Sequence, residues 1–165
     1  MVQTLANSGV LSSKELSMLP GMPSKERMEE GPVAVIECAE EIACNPCESA
    51  CPQGAIEVGE DINRLPTLNE DLCVGCGLCI AACPGQAIFV VDLTFAKDEA
   101  LVQMPHEFLP LPKEGATVEC RNRAGKTITQ GRVVEVDNPK GNDRTPIVSV
   151  AVPKEFVLEV RAIAR

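Results

Sequence analysis

The stretch Cys73-Val74-Gly75-Cys76-Gly77-Leu78-Cys79-Ile80-Ala81-Ala82-Cys83-Pro84 places four cysteines at gaps of two, two and three residues and closes on a proline. A second copy of this run lies upstream at a constant offset of 32 residues. The matched positions are Cys76, Cys79, Cys83, Pro84, Ala87 and Ile88 with Cys44, Cys47, Cys51, Pro52, Ala55 and Ile56. Six matches at one offset indicate an internal repeat.

The upstream copy departs from the downstream one at its first cysteine. A regular copy would have a cysteine at position 41, but Glu41 stands there. Cys38 is the substitute, and the gap that follows it is five residues instead of two. Residues 39–43 must therefore bulge outward if Cys38 is to join the other thiols.

The spacing indicates iron–sulfur chemistry, because such clusters need four soft thiolates that converge, and gaps of two supply three of them from one tight turn. We expect Gly75 and Gly77 to adopt positive φ, so that backbone amides can point at sulfur. Gly54 and Gly85 are predicted to turn the chain after each Cys-Pro pair. Zinc is the alternative, since two zinc ions could take eight cysteines.

The charge distribution and the composition limit which classes of partner and which cellular compartment suit the chain. Residues 113–165 carry ten Lys and Arg against seven Asp and Glu, which leaves five against seventeen in residues 1–112. Nucleic acid is therefore an unsuitable partner for the cysteine-bearing part. The acidic surface is expected either to attract basic partner surfaces or to be a solvated face without a role. No secretory signal or membrane-spanning run is evident, so we expect a reducing, cytoplasmic setting.

The sequence predicts strand, cysteine loop, short helix and strand in each half of the repeat. The predicted strands are residues 33–36 and 55–58 in the first half, and residues 65–68 and 87–91 in the second. Helical turns are predicted at residues 48–51 and 80–83, where Pro52 and Pro84 end them. Two such halves form a small α+β unit with pseudo-twofold symmetry.

The flanks differ from this unit. Residues 1–31 form a predicted extension with short helices at residues 14–19 and 24–30, the first with a capping box from Ser12 and Glu15. We expect this extension to pack on a partner or on the rest of the chain, with disorder as the alternative. Residues 94–103 are interpreted as a link of mixed character, for which a helix is one option.

The C-terminal part is predicted to be rich in β-structure. The β-branched runs are residues 115–120, 127–137 and 146–152, with a last strand or a helix at residues 155–163. These short strands favour a small, strongly bent sheet or barrel. The predicted domains are an extension at 1–31, a cysteine domain at 32–97, a proline-rich link at 98–112 and a small barrel-like β domain at 113–165.

At the cysteine runs the chain resembles the bacterial two-cluster ferredoxins, over residues 32–92. The resemblance implies that fold, two [4Fe-4S] clusters and one-electron transfer. It also implies that the last cysteine of each run serves the other cluster. Cluster one would then be held by Cys51, Cys73, Cys76 and Cys79, and cluster two by Cys38, Cys44, Cys47 and Cys83. A three-iron cluster without Cys38 is the alternative for cluster two.

The remaining reactive residues give no second site. Cys120 in a predicted strand is interpreted as a buried small hydrophobe, and His106 as structural or exposed. The charges of Glu40, Glu41 and Glu48 are interpreted as solvated. No dinucleotide fingerprint, phosphate-binding loop or Ser/His/Asp arrangement occurs, so the chain is expected to lack a substrate-converting site of its own.

A second resemblance concerns the irregular first run, from Ile36 through Glu48. It looks like the ferredoxin-type subunit that accompanies flavin-dependent amine or amino-acid dehydrogenases of the proline, hydroxyproline or sarcosine type. This resemblance implies an electron-transfer subunit of a larger oxidoreductase, with a flavoprotein partner in a hetero-oligomer. A freestanding carrier with an appended β domain is the alternative, and a regulatory or assembly factor with structural clusters is a third hypothesis.

Overall fold

The two halves of the cysteine repeat pair with each other through their strands. The first strand of the first half pairs with the last strand of the second half, and the two strands between them in the chain also pair. In the computed structural model, which describes residues 4–164, Val33–Ile36 (β1) pairs antiparallel with Ile88–Asp92 (β4). Ile56–Glu57 (β2) pairs with Thr67–Leu68 (β3) in a separate two-stranded sheet. Each half therefore has the predicted order of strand, helix and strand, with strands at the predicted places.

Helices are short throughout the described part of the chain. They span Leu5–Ser8 (α1), Ser13–Leu16 (α2), Lys25–Met28 (α3), Pro46–Ala50 (α4) and Leu78–Ala82 (α5). Two 3-10 turns follow at Lys140–Asn142 and Lys154–Phe156. The predicted helical turns of the repeat correspond to α4 and α5, which pack against each other.

The sheet that begins with β1 continues through the rest of the chain. Its further strands are Glu99–Pro105 (β5), Thr117–Arg121 (β6), Thr127–Asp137 (β7), Ile147–Pro153 (β8) and Ala162–Ile163 (β9). Seven strands lie in the order β1-β4-β5-β8-β7-β6-β9, and every pairing is antiparallel. The C-terminal strands thus join the sheet of the repeat through β5 and β8 instead of closing on themselves. The predicted domain boundaries stay a prediction.

Strand β5 corrects the interpretation of residues 94–103 as a link with a helix as one option. Its residues alternate between buried and half-buried, and Ala100, Val102 and Met104 are fully buried. This period of two is typical of a strand packed on one face. The prolines that follow, rather than the residues before them, form the irregular segment.

The last predicted element, residues 155–163, also differs from expectation. Most of it is a turn, in which the N–H of Val160 donates to the carbonyl of Phe156 at 2.9 Å. Only Ala162–Ile163 is a strand, paired with β6. Apolar and polar residues alternate in this segment because some of its turn residues point into the core. A strand has the same pattern, which is why the sequence allowed a longer strand here.

Two hydrophobic cores lie on opposite faces of β1 and β4. Val33 and Val35 face the larger core, whereas Ala34 and Ile36 face a smaller core that also contains Cys47 and Cys79. Successive strand residues point to opposite faces, which is why one strand supplies both cores. The smaller core is the wall against which the cysteine loops are placed.

The N-terminal segment packs on the rest of the chain. The predicted capping box of Ser12 and Glu15 is present at the start of α2. Further along, the carbonyl of Gly21 accepts from the N–H of Ile36 at 3.0 Å, and that of Pro20 accepts from Leu68 at 3.1 Å. A Cβ at Gly21 would lie 2.5 Å from the Cβ of Ile36, so this close approach requires glycine.

A buried ion network joins β1 to the C-terminal part of the chain. Glu37 accepts from Arg123 at 2.8 Å and from Arg161 at 2.7 Å. The Arg161 guanidinium also lies 4.7 Å from the ring centre of Phe89. Burial opposes ionisation of Glu37, but the two arginines outweigh it and lower the pKa of this carboxyl.

Replacing Glu37 with Gln should destabilise the fold strongly, by about 3–5 kcal/mol, because two buried guanidinium groups would lose their counter-charge. The matched control is Glu99→Gln, which breaks the half-exposed pair of Glu99 and Arg132 at 3.2 Å. We expect a cost of about 0–1 kcal/mol there. Anaerobic chemical denaturation followed by circular dichroism measures both, and equal midpoints for the two variants would contradict the account.

Candidate metal centre

Four cysteines from both halves of the repeat line one small cavity beside the smaller core. They are Cys51, Cys73, Cys76 and Cys79, and the wall opposite them includes Ala34, Ile56 and Val90. The loop of residues 73–79 supplies three of these thiols. The fourth, Cys51, follows directly after α4 and comes from the other half.

A second cavity is lined by Cys38, Cys44, Cys47 and Cys83, with Ile36 and Ile88 behind them. Here the crossing cysteine is Cys83, which follows α5. The structure therefore brings together the two sets of four cysteines that the resemblance to the two-cluster ferredoxins implies. Among residues 4–164, no three His, Cys, Asp or Glu side chains are close enough to hold a single metal ion.

The irregular first run bulges outward as its length requires. Residues 40–43 are exposed, whereas Cys38 and Cys44 at the two ends are half-buried and line the cavity. The N–H of Cys44 donates to the carbonyl of Ile62 at 3.0 Å, which ties the end of the bulge to a neighbouring loop. Glu41 is thus part of the exposed bulge, and Cys38 lies at the cavity.

Backbone amides point at three of the sulfurs. The N–H of Ala55 donates to Sγ of Cys51 at 3.2 Å, and the N–H of Ala87 donates to Sγ of Cys83 at 3.4 Å. These two bonds are equivalent under the repeat. The N–H of Ala34 likewise donates to Sγ of Cys73 at 3.4 Å. Hydrogen bonds of this kind stabilise thiolate sulfur and help to set the potential of iron–sulfur centres.

The thiols of each set influence one another electrostatically. Burial, followed by the charges of Cys73, Cys76 and Cys51, raises the pKa of Cys79 to about 12. Burial and then Cys83 raise the pKa of Cys47 to about 11, and the same two causes lead the upward shift of the pKa of Cys38. Such crowded thiols need a bound cation to ionise together, since a metal deprotonates the thiols that coordinate it.

Glycines shape the loop of the first set as predicted. Gly75 has φ of 66° and Gly77 has φ of 79°. A Cβ at Gly75 would lie 2.6 Å from the Cβ of Pro32, so this loop touches the chain that precedes β1. In the turns after the Cys-Pro pairs, Gly54 has positive φ in the first half and Gln86 has it in the second. The repeat explains this, because Gln86 is the equivalent of Gly54.

Two charged residues at the site were missed or misread from the sequence. Arg27 donates to the carbonyl of Cys73 at 2.6 Å, a contact that no sequence pattern signals across 46 residues. Glu48 was interpreted as a solvated charge, but its Oε1 accepts from the N–H groups of Val58 and Gly59 at 3.2 and 3.3 Å. It therefore fastens the turn after β2 to α4, whereas Glu40 and Glu41 are exposed as expected.

The two residues outside the repeat that could carry chemistry lie away from both cavities. Cys120 is fully buried in β6, and burial raises its pKa to about 11, which confirms its interpretation as a small hydrophobe. His106 is buried with its ring 5.7 Å from that of Phe108. None of the helices within residues 4–164 has the length and apolar character needed to cross a membrane.

Comparison with known proteins agrees with the cysteine geometry. Residues 42–87 match the model of the 4Fe-4S dicluster domain. The chain contains a 4Fe-4S ferredoxin domain. The matched segment is accordingly an iron–sulfur, metal-binding domain, and no solved structure matches the chain significantly.

Curated relatives match the chain over part of its length. A polysulfide reductase chain of Wolinella succinogenes is 52% identical over 54 residues, which are 33% of this chain and 27% of the relative. An uncharacterized ferredoxin of Methanocaldococcus jannaschii is 36% identical over 78 residues, 42% of this chain and 45% of the relative. A component of the ion-translocating oxidoreductase complex of Methanosarcina acetivorans is 45% identical over 47 residues, 28% of this chain and 17% of the relative. The chain thus spans less than half the length of these relatives.

Replacing Gly75 with Ala should reduce the iron content of the purified protein, because the new methyl group meets the backbone of Pro32 and displaces the loop of the first cysteine set. Gly54→Ala is the matched control, since Gly54 has a similar φ of 62° but nothing within 4 Å of an added Cβ. We expect the control to cost only about 1–2 kcal/mol of backbone strain and to keep its iron. Colorimetric iron per chain measures the difference, and equal iron in both variants would show that the close approach is unimportant.

Proposed function

We propose that this chain is the electron-transfer subunit of a larger oxidoreductase complex, relaying single electrons between a flavin subunit and an acceptor through two [4Fe-4S] clusters. The observation that carries the proposal is the pair of cavities, each lined by four cysteines with one thiol contributed by the opposite half of the repeat. This is the donor set that two four-iron clusters require.

The residues present fit such clusters in number and chemistry. Cys51, Cys73, Cys76 and Cys79 would hold cluster one, and Cys38, Cys44, Cys47 and Cys83 would hold cluster two. When bound, iron–sulfur clusters supply reversible one-electron chemistry. The chain itself contributes the thiols, the three amides that point at sulfur, and apolar walls from β1 and β4 that limit the access of water.

Cys38 decides whether cluster two has four irons or three. We expect Cys38→Ser to lower the iron content from about eight toward about seven per chain and to add the paramagnetic signal of an oxidised three-iron cluster. Cys120→Ser is the matched control, because Cys120 is buried in the sheet away from both cavities. Iron analysis and electron paramagnetic resonance of anaerobic protein measure the effect. A three-iron signal already present in the unaltered protein would contradict the assignment of Cys38.

The partner proposal has support from the surface around the cysteines. Within residues 4–164, eight large hydrophobic side chains are exposed, and five of them lie in or beside the cysteine loops. These five are Ile42, Ile62, Leu72, Val74 and Leu78. Val74 borders the first cavity and Ile42 the second. Exposed apolar side chains beside a redox site suit contact with a protein partner, and a cluster must approach its redox partner closely for electron transfer.

The names of the relatives also support a subunit of a larger oxidoreductase, since one is a chain of polysulfide reductase and another belongs to an oxidoreductase complex. A flavoprotein dehydrogenase as the partner follows from the resemblance of the irregular first run. We also propose a cytoplasmic location, because eight cysteines that bind iron must stay reduced, and a reducing compartment keeps them so.

Native purification tests the proposed complex. We expect the chain to co-purify in fixed stoichiometry with a flavin-containing chain, detected by flavin fluorescence and mass spectrometry. Val74→Asp should weaken that association, because it places a charge in the apolar rim of cluster one. Leu109→Asp is the matched control, since Leu109 is 83% exposed but distant in sequence from the cysteine loops. Isolation of a monomer with full redox activity would instead support a freestanding carrier.

A further inference from the structure

We propose that Arg27 is a positioning residue for the loop of the first cysteine set and that its charge gives cluster one the higher reduction potential of the two. This inference rests on the proposed two-cluster function. Arg27 lies in α3, outside residues 42–87 that match the dicluster domain.

The guanidinium of Arg27 joins two segments that enclose the first cavity. It donates to the carbonyls of Glu70 at 3.0 Å and Cys73 at 2.6 Å on the cysteine loop. It also donates to the carbonyls of Gly31 at 3.2 Å and Pro32 at 3.1 Å, just before β1. A planar fork with five N–H donors can hold several carbonyls at once, which lysine cannot match.

The second segment is itself a wall of the cysteine loop. Pro32 packs so closely on Gly75 that an added Cβ there would lie 2.7 Å from the carbonyl carbon of Pro32. Two residues on, the N–H of Ala34 donates to Sγ of Cys73. By holding residues 31–32 against residues 70–73, Arg27 fixes the geometry of a ligand sulfur and of the amide that donates to it.

Glu70 also connects α3 to the cysteine loop, through its side chain. Its carboxylate accepts from the N–H of Ser24, the residue that caps α3. The helix therefore binds the loop through one cation and one anion at neighbouring points. The two charges act on the same cavity with opposite sign, so their removal should shift the potential of one cluster in opposite directions.

Acidic side chains outnumber basic ones around the second cavity. The exposed bulge carries Glu40 and Glu41, and the loop tied to it through Ile62 carries Glu60 and Asp61. Arg64 is the basic side chain that lines this cavity. Negative charge stabilises an oxidised cluster and positive charge a reduced one, so cluster two should be the weaker oxidant.

This difference gives electrons a direction within the chain. They would collect on cluster one, whose ligand Cys76 is the exposed cysteine of the chain, while the other eight are at least half-buried. Cys76 lies between the exposed side chains of Val74 and Leu78. Electron exchange with a redox partner would accordingly occur at this loop, where a cysteine of the first set is exposed.

Redox titration of the anaerobic protein, followed by electron paramagnetic resonance, tests the inference. Cys76→Ser, at a residue that lines only the first cavity, identifies which couple belongs to cluster one. We expect Arg27→Gln to lower that couple alone, so that the ratio of reduced to oxidised cluster at a fixed potential falls about tenfold, which is 59 mV for one electron. Arg27→Lys should lower the potential of the cluster-one couple by less than half as much as Arg27→Gln does, because the positive charge remains.

Two further variants separate charge from folding. Glu70→Gln should raise the potential of the same couple, and it decides the matter alone if Arg27→Gln does not retain its clusters. Lys25→Gln, an exposed cation of the same helix, should move neither couple. Unchanged couples in Arg27→Gln, equal shifts of both couples, or no upward shift in Glu70→Gln would overturn the inference. A single couple in unaltered protein that holds about eight irons would also overturn the inference, whereas the absence of any one-electron couple would overturn the proposed function.

Discussion

The convergence of four thiols on each cavity is the constraint on which the rest of the structure depends. No single loop of this chain supplies four cysteines to one cavity. Cys51 leaves α4 toward the cavity of the second run, and Cys83 leaves α5 toward that of the first. The exchange holds the two halves of the repeat together, because each half completes the site of the other. The packing of α4 against α5 and the antiparallel pairing of β1 with β4 join the same two halves.

Burial of β1 and β4 on both faces links this site to the remainder of the molecule. One face supports the cysteine loops and the other belongs to the core shared with β5 to β9. The ion network of Glu37, Arg123 and Arg161 crosses from β1, one residue before Cys38, to the C-terminal turn. The N-terminal segment reaches the opposite cavity through Arg27. Both flanks of the cysteine repeat therefore contact residues at or beside the cysteines and help to fix the geometry of the cysteine loops.

Much of this arrangement could be predicted from the sequence, because the signals were local. The cysteine spacing, the offset of 32 residues and the β-branched runs identify the repeat and the strands. The resemblance to the two-cluster ferredoxins implies the division of the cysteines into two sets. Strand β7 has the predicted bounds, Thr127–Asp137. Strand β5 was misjudged since its seven residues include Glu99, Gln103 and Pro105, and its burial depends on partners about fifty residues away. The contacts of Glu37 with Arg161, 124 residues apart, leave no local signal at all.

The protein is thus proposed as a relay whose chemistry lies in two clusters and whose direction lies in the charges around them. Two four-iron clusters are proposed to lie in the two cysteine-lined cavities. Anomalous scattering at the iron absorption edge, measured on crystals grown without oxygen, tests whether they do. We expect two peaks of four irons each, one among Cys51, Cys73, Cys76 and Cys79, and the other among Cys38, Cys44, Cys47 and Cys83. A single iron peak, or peaks at the zinc edge in place of iron, would contradict this proposal.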